Sequence, residues 1–357
     1  MVDQNGNVKV LNAGMATIDA AMVDNYGQSH TASYQLSVKK PVEFSQITLM
    51  PENSIQAMNM GSKQLITADV INNQDGYKSL IWQSSDSSIL SVDQNGLMTA
   101  VLPGNATVTL KLVDVSGKEW DASHNMGVQL LLPASLEGQR TAITKSVVDF
   151  SKKLNAEGVS YTDLTPFGPD RWQTNNITYT ILNPDQTIHA KDGDITAQQL
   201  WTAAATAWNL EFEELGSNIN LTPVASNGDM VDQDVSNEEL SKLTGQTDAS
   251  GTAGWSNWHT IGNMFVPQNT LSYVNEKMRD TDAWTKAELI ADATHEIGHT
   301  LDLLHSDDRK SVLWYETKDQ SLQKQDAFGV ILASELPAGL DSTAIGRPQY
   351  VAPVTTA

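Results

Sequence analysis

Two spacings of apolar residues divide the chain. Between Val42 and Pro133 apolar and polar positions alternate in short runs, "KQLITADV", "SLIWQSS" and "ATVTLKL", separated by turn signals such as Asn95-Gly96 and Pro103-Gly104. A period of two puts alternate side chains on opposite faces of a strand, so this stretch predicts a β-sandwich over 42–133 with Trp82 in its core. Beyond Thr141 the period lengthens: in "TAITKSVVDFSKKLNAEG" Ile143, Val147, Phe150 and Leu154 recur at helical spacing, and Gly158 can end the helix. Residues 134–164 are therefore expected to be a helical connector packed on a neighbour, with a remnant prosegment blocking a cleft as the alternative.

From about residue 165 the texture is mixed. "NITYTIL" at 176–182 alternates like a strand. Thr196 and Gln199 make a capping box ahead of a helix whose Leu200, Ala204, Ala207 and Trp208 share one apolar face. "GWSNWHTIGNMFV" at 254–266 reads as a strand or hairpin, and "QSLQKQDAFGVILASEL" at 320–336 as a closing helix. Thr285 and Glu288 form a second capping box, opening a helix that points Leu289, Ile290, Ala293, Ile297 and Leu301 toward a core. Strands followed by helices in this order suggest α+β. Residues 343–357 read as a tail.

The chain also repeats itself. Val2 to Gly6 match Val92 to Gly96, and Gly14, Ala16, Thr17, Asp24 and Gly27 recur at the same offset of ninety. Residues 1–40 thus resemble the C-terminal half of the domain at 42–133, and the natural protein is expected to extend further N-terminally. In that case the absence of a basic and apolar leader at "MVDQNGNVKV" is uninformative.

Composition narrows the chemistry. A net charge of −21 repels phosphate backbones, which argues against a nucleic-acid partner. No stretch reaches the roughly 18 consecutive apolar residues of a membrane span, so no membrane insertion is expected. With no cysteine in 357 residues, disulfides, thiolate metal sites and cysteine nucleophiles are excluded, and a metal site must use His, Asp or Glu.

"THEIGHTLDLLHSDD", 294–308, supplies such a set. His295 and His299 are four apart and lie on one helix face, able to bind one ion. Glu296 sits beside them without ligating, the placement of a general base toward a metal-activated water. His305 joins only if the helix stops near residue 302 and the chain turns back. Three imidazoles with an open fourth position match one catalytic Zn²⁺. Asp302 would be a rival third ligand if the helix continued. Asp292, Asp307 and Asp308 are candidates to orient a ligand, and His259 stands near the same region.

"HEIGHTLDLLHS" resembles the metzincin signature HExxHxxGxxH, in its matrixin branch, with "RWQTNNITYTI" and "AATAWN" similar to the first strand and first helix of matrixin domains. "SLIWQSSDSSILSVDQNGLMTAVLPGNATVTL" resembles the bacterial Ig-like domains of group 2. Two positions depart from the first pattern. Asp302 replaces the turn glycine, and Leu313 in "SVLWY" replaces the methionine of the Met-turn, a swap that conserves volume.

The resemblance implies a multidomain protein: all-β Ig-like sandwiches followed by an α+β metzincin-like domain at 165–342, a twisted sheet with about three helices. It implies a secreted, extracellular or cell-wall-associated zinc metalloendopeptidase acting on protein or peptide substrates, paired along an edge strand within 258–268. His295, His299 and His305 are the metal ligands and Glu296 the general base. The Ig-like part is expected to bind cell-surface or extracellular components. Calcium is common in the family, but no EF-hand-like spacing supports it here. A surface adhesion protein whose peptidase-like module no longer cleaves is the alternative function.

Overall fold

The computed structural model describes residues 1–39, 46–50, 57–71, 76–249, 252–275, 284–316 and 319–351. It divides into two compact units.

The first is all β. Gly14–Val23 and Ser29–Val38 form an antiparallel hairpin in continuous register. Tyr77–Ser84, Gly104–Asp114 and Glu119–Gln129 lie side by side in a larger sheet. The alternation seen in the sequence becomes a core there: Val108, Leu110 and Leu112 are fully buried, with Trp82 and Met126 beside them. Gly96 takes φ +83°, and a Cβ there would lie 2.2 Å from the Ile66 carbonyl oxygen, so the Asn95-Gly96 turn requires its glycine.

The sequence repeat is also a repeat of turn chemistry. The Asp3 carboxylate accepts from the Asn5 and Asn7 amides, as Asp93 accepts from Asn95 and Leu97. Asp24 accepts from the amides of Tyr26 and Gln28, and Asp114 from that of Lys118. Local side-chain-to-backbone bonds of this kind make Asp a turn former.

The second unit carries the histidines. Helix α1 (Arg140–Ala156) buries Ile143, Val147, Phe150 and Leu154, and Gly158 follows it with φ +68°. The sheet runs through β1 (Asn176–Ile181), β2 (Thr187–Ala190), β3 (Gly193–Thr196), β4 (Asn220–Pro223), β5 (Met230–Val235), β6 (Gly254–Ile261) and β7 (Met264–Asn275). β2 and β3 form their own hairpin. The other five strands make one sheet in the order β4-β1-β5-β7-β6, parallel except for the β6–β7 hairpin, which puts β6 on an edge.

The helices are α2 (Ala197–Glu214), α3 (Asn237–Thr244), α4 (Lys286–Thr300) and α5 (Lys324–Glu335). Both capping boxes form, at Thr196–Gln199 and at Thr285–Glu288. α2 and α4 are joined across their buried faces by Trp208, whose Nε1 donates to the Thr294 carbonyl at 3.0 Å. α1 packs on α5 through an edge-to-face contact of Phe150 with Phe328. α1 lies within residues 134–164, none of which lines the cleft described below. The fold is the expected all-β Ig-like region followed by an α+β region.

Candidate metal centre

α4 positions the first two histidines. It ends at Thr300, Leu301 caps it, and Asp302 then takes φ +73°, a left-handed conformation. Asp adopts that region at modest cost, so the turn forms without the glycine. The chain doubles back and brings His305 to the other two. The ring centroids of His295, His299 and His305 lie 4.6–5.3 Å apart, and one ligand nitrogen from each falls within 4.8 Å of the others.

Carbonyl oxygens fix the first two rings. His295 Nδ1 donates to Val312 O at 2.7 Å and His299 Nδ1 to Leu303 O at 2.8 Å. A carbonyl only accepts, so Nδ1 carries the proton and Nε2 is left as the donor for an ion. Burial pushes all three imidazoles below their ordinary value, His299 to about 4, and the neighbouring histidines add to this for His295 and His299. Neutral rings are the ligating form.

The carbonyl that holds His295 is itself held from below. Asp326, fully buried in the first turn of α5, accepts from the Val312 amide at 3.2 Å and from the Ser311 hydroxyl at 2.5 Å, with Thr165 as a further donor. Leu313 is fully buried at the methionine position. Its Cδ2 would lie 2.8 Å from a Cβ at position 298, so Gly298 lets the helix settle on this apolar floor.

Glu296 is 3% exposed and faces the edge strand β6. Ser256 Oγ donates to its Oε2 at 2.5 Å and is 3.0 Å from its carbonyl oxygen. Burial pushes the Glu296 carboxyl well above the usual range and Asp292 adds to this, while Ser256 opposes it. A Cβ at position 254 would sit 2.5 Å from Glu296 Oε1 and 2.7 Å from its Cγ, so Gly254 is the space the carboxylate occupies.

His295, Glu296, His299 and His305 open into one cleft of about 770 Å³, with Gly254, Trp255, Ser256 and Trp258 along one wall and Tyr315 and Tyr350 on another. The wall strand is thus residues 254–258 of β6. Much of the 258–268 segment named from the sequence lies instead in the outer end of the hairpin and in β7.

The other candidates fall elsewhere. Asp302 turns its carboxylate to Arg171 at 2.8 Å and does not join the three rings. Asp307 pairs with Arg347, and Asp308 accepts from the Lys310 amide and Gln325; neither holds a ligand histidine. His259 is exposed on β6. Asp292 lines the cleft, one turn before Glu296. Sequence reasoning missed Gly254, Ser256 and Asp326, whose partners on α4 and in the 311–312 turn are brought to them only by the tertiary fold.

Comparison with known proteins agrees with this layout. Residues 43–123 match the model of the bacterial Ig-like domain (group 2), and residues 171–332 match that of matrixin. An uncharacterized protein of Clostridium acetobutylicum is 29% identical over 181 residues, which are 50% of this chain and 17% of that protein's length. Among solved structures, the S-layer protein rSbsC(31-844) is similar at 18% identity over 36% of this chain and 18% of its own, with a TM-score of 0.23. An intimin mutant of EHEC O157:H7 is similar at 13% identity over 35% and 62%, with a TM-score of 0.18. Neither structural likeness bears on the cleft. No helix among the described residues is long and apolar enough to cross a membrane. In chain order, then, residues 43–123 are similar to the bacterial Ig-like domain of group 2 and residues 171–332 to matrixin.

Proposed function

We propose that the second unit is an extracellular zinc-dependent endopeptidase, held by His295, His299 and His305 and worked by Glu296. The observation that carries the reading is the donor set: three neutral imidazoles converging, two with Nδ1 occupied by carbonyls, and a buried carboxylate opening into the same cleft. This set fits zinc. Nitrogen ligands at about 2.0–2.1 Å, with an open fourth position, are what a catalytic zinc takes, and imidazole without thiolate favours it over calcium or magnesium. When bound, the ion supplies Lewis acidity toward a water and toward the scissile carbonyl oxygen.

The chain's own groups do the rest. A Glu296 oxygen takes a proton from the attacking water and returns it to the departing amine nitrogen. Ser256 Oγ fixes Oε2 of that carboxylate, so the proton-bearing oxygen does not need to find its place during the reaction. An extended peptide pairs with β6, the edge strand among the described residues, whose Gly254, Trp255, Ser256 and Trp258 line the cleft. The Ig-like domain supports placement outside the cell, where it would present the enzyme to surface or matrix components.

Metal content and casein cleavage, with and without a chelator, test the reading together. One zinc per chain, cleavage lost on chelation and restored by added zinc, is the expected result. Purified protein that takes up no zinc overturns it. Stoichiometric zinc without turnover on a broad peptide library points to a binding module instead.

Gly254→Ala provides a finer check. The new methyl has to displace the Glu296 carboxylate, and a misplacement on the order of 1 Å can cost about 10²-fold in rate. kcat is expected to fall on that scale while zinc stoichiometry holds. Unchanged kcat in the variant would mean that the carboxylate need not sit against β6.

A further inference from the structure

The glycine that the matrixin pattern expects at position 302 is replaced by a residue that does more than tolerate the turn. Asp302 Oδ2 accepts from Arg171 Nη1 at 2.8 Å and from the Asp170 amide at 3.0 Å, and the Asp302 carbonyl accepts from the Gly168 amide at 2.8 Å. The Leu304 amide donates to Pro166 O at 2.8 Å. A Cβ at position 168 would lie 2.6 Å from Asp302 Oδ1, so Gly168 leaves room for the carboxylate. The side chains of Arg171 and Asp302 are 6% and 4% exposed. Nη1 also lies within hydrogen-bond reach of the Gly168 and Asp170 carbonyls, while Nε and Nη2 donate to those of Leu336 and Leu340.

The same turn carries two parts of the metal centre. Leu303 O orients the His299 ring, and His305 follows two residues later. We propose that Asp302 and Arg171 are a positioning pair for this centre. Residues 166–171, docked on the turn through that pair, hold the Leu303 carbonyl and His305 in register with His295. Metal affinity is thereby made conditional on a segment that contributes no ligand. The proposal rests on the metal-site reading above.

The physical basis is an asymmetry. Removing one member of a buried pair leaves an uncompensated charge, whereas removing both leaves none. A glycine at 302 would relax the backbone, yet it strips Arg171 of its ion-pair partner and the Asp170 amide of its acceptor. Were φ the only issue, Asp302→Gly would be harmless.

The test compares Asp302→Gly, Arg171→Met and the double variant Arg171→Met/Asp302→Asn in the full chain, each checked for folding by circular dichroism. Zinc affinity is measured by chelator competition and ligand geometry by the visible spectrum of the cobalt-loaded protein. The single variants are expected to lose about 10–100-fold in affinity, the range for groups that support metal ligands from outside. They should also show an altered cobalt spectrum. The double variant also lacks the pair's hold and is expected to stay weakened, but by less than the two single losses combined, since mutually dependent partners are non-additive; losses that simply add would mean that the two residues act separately. Lowered melting temperature with parental affinity and spectrum in the single variants overturns the proposal.

Hydrogen exchange on metal-free protein separates this from the function itself. Asp302→Gly should speed exchange at the Leu303 and Leu304 amides and spare the middle of α4. Parental exchange there overturns the pair's hold on the turn whether or not the parent chain binds zinc.

Discussion

Glu296→Ala is expected to keep the metal and lose the hydrolysis. The two outcomes separate because the groups that hold the histidines are not those that hold the glutamate. His295 and His299 are oriented by Val312 O and Leu303 O, and Val312 is in turn bound to Asp326. Glu296 leans the other way, on Ser256 and into the space above Gly254. Truncation removes the proton acceptor without releasing a ring. A general base is worth about 10²–10⁴-fold, so kcat should fall within that range while one zinc per chain remains. Glu296→Gln keeps the shape and should fall as far, which separates proton transfer from packing. Cleavage at the parental rate by either variant would take Glu296 out of the mechanism.

How much of this was legible in the sequence depends on distance along the chain. The two capping boxes, the strand at 176–181 and the helices at 140–156 and 324–335 follow from residues within a turn or two of each other, and all are present. The repeat at offset ninety reappears as paired Asp turns for the same reason. The return of His305 stood in the sequence only as a condition, that the helix stop near residue 302, and the left-handed turn at Asp302 meets it. What was not legible is contact across the fold. Nothing near Asp302 announces Arg171, 131 residues earlier, so its carboxylate stayed open as a rival ligand. Ser256 lies 40 residues before its partner Glu296. Strand order is equally remote: β5 separates β1 from β7 in space, and "MVDQDV" carries too much charge to advertise a central strand.

That central strand gives the largest expected change in stability. Asp232 of β5 is fully buried opposite Ser272 of β7, and neither of its oxygens has a hydrogen-bond partner among the described residues. Burial pushes its carboxyl up to about 7, with Ser272 opposing. In the unfolded chain the same group titrates near about 3.9. Between these values the folded state holds a proton that the unfolded state has released, so stability must fall as pH rises through that window. Three units at about 1.4 kcal/mol each amount to about 4 kcal/mol lost between pH 4 and pH 7. Asp232→Asn keeps the shape and cannot ionise, so it removes this slope. The variant's advantage over the parent should therefore be about 4 kcal/mol larger at pH 8 than at pH 4, by denaturant unfolding of the metal-free protein. The histidine contributions are common to both chains and drop out of the difference. Parallel stability curves for the two proteins from pH 4 to pH 8 would mean that Asp232 gains or loses no proton on folding, and that a partner for its charge exists within the sheet.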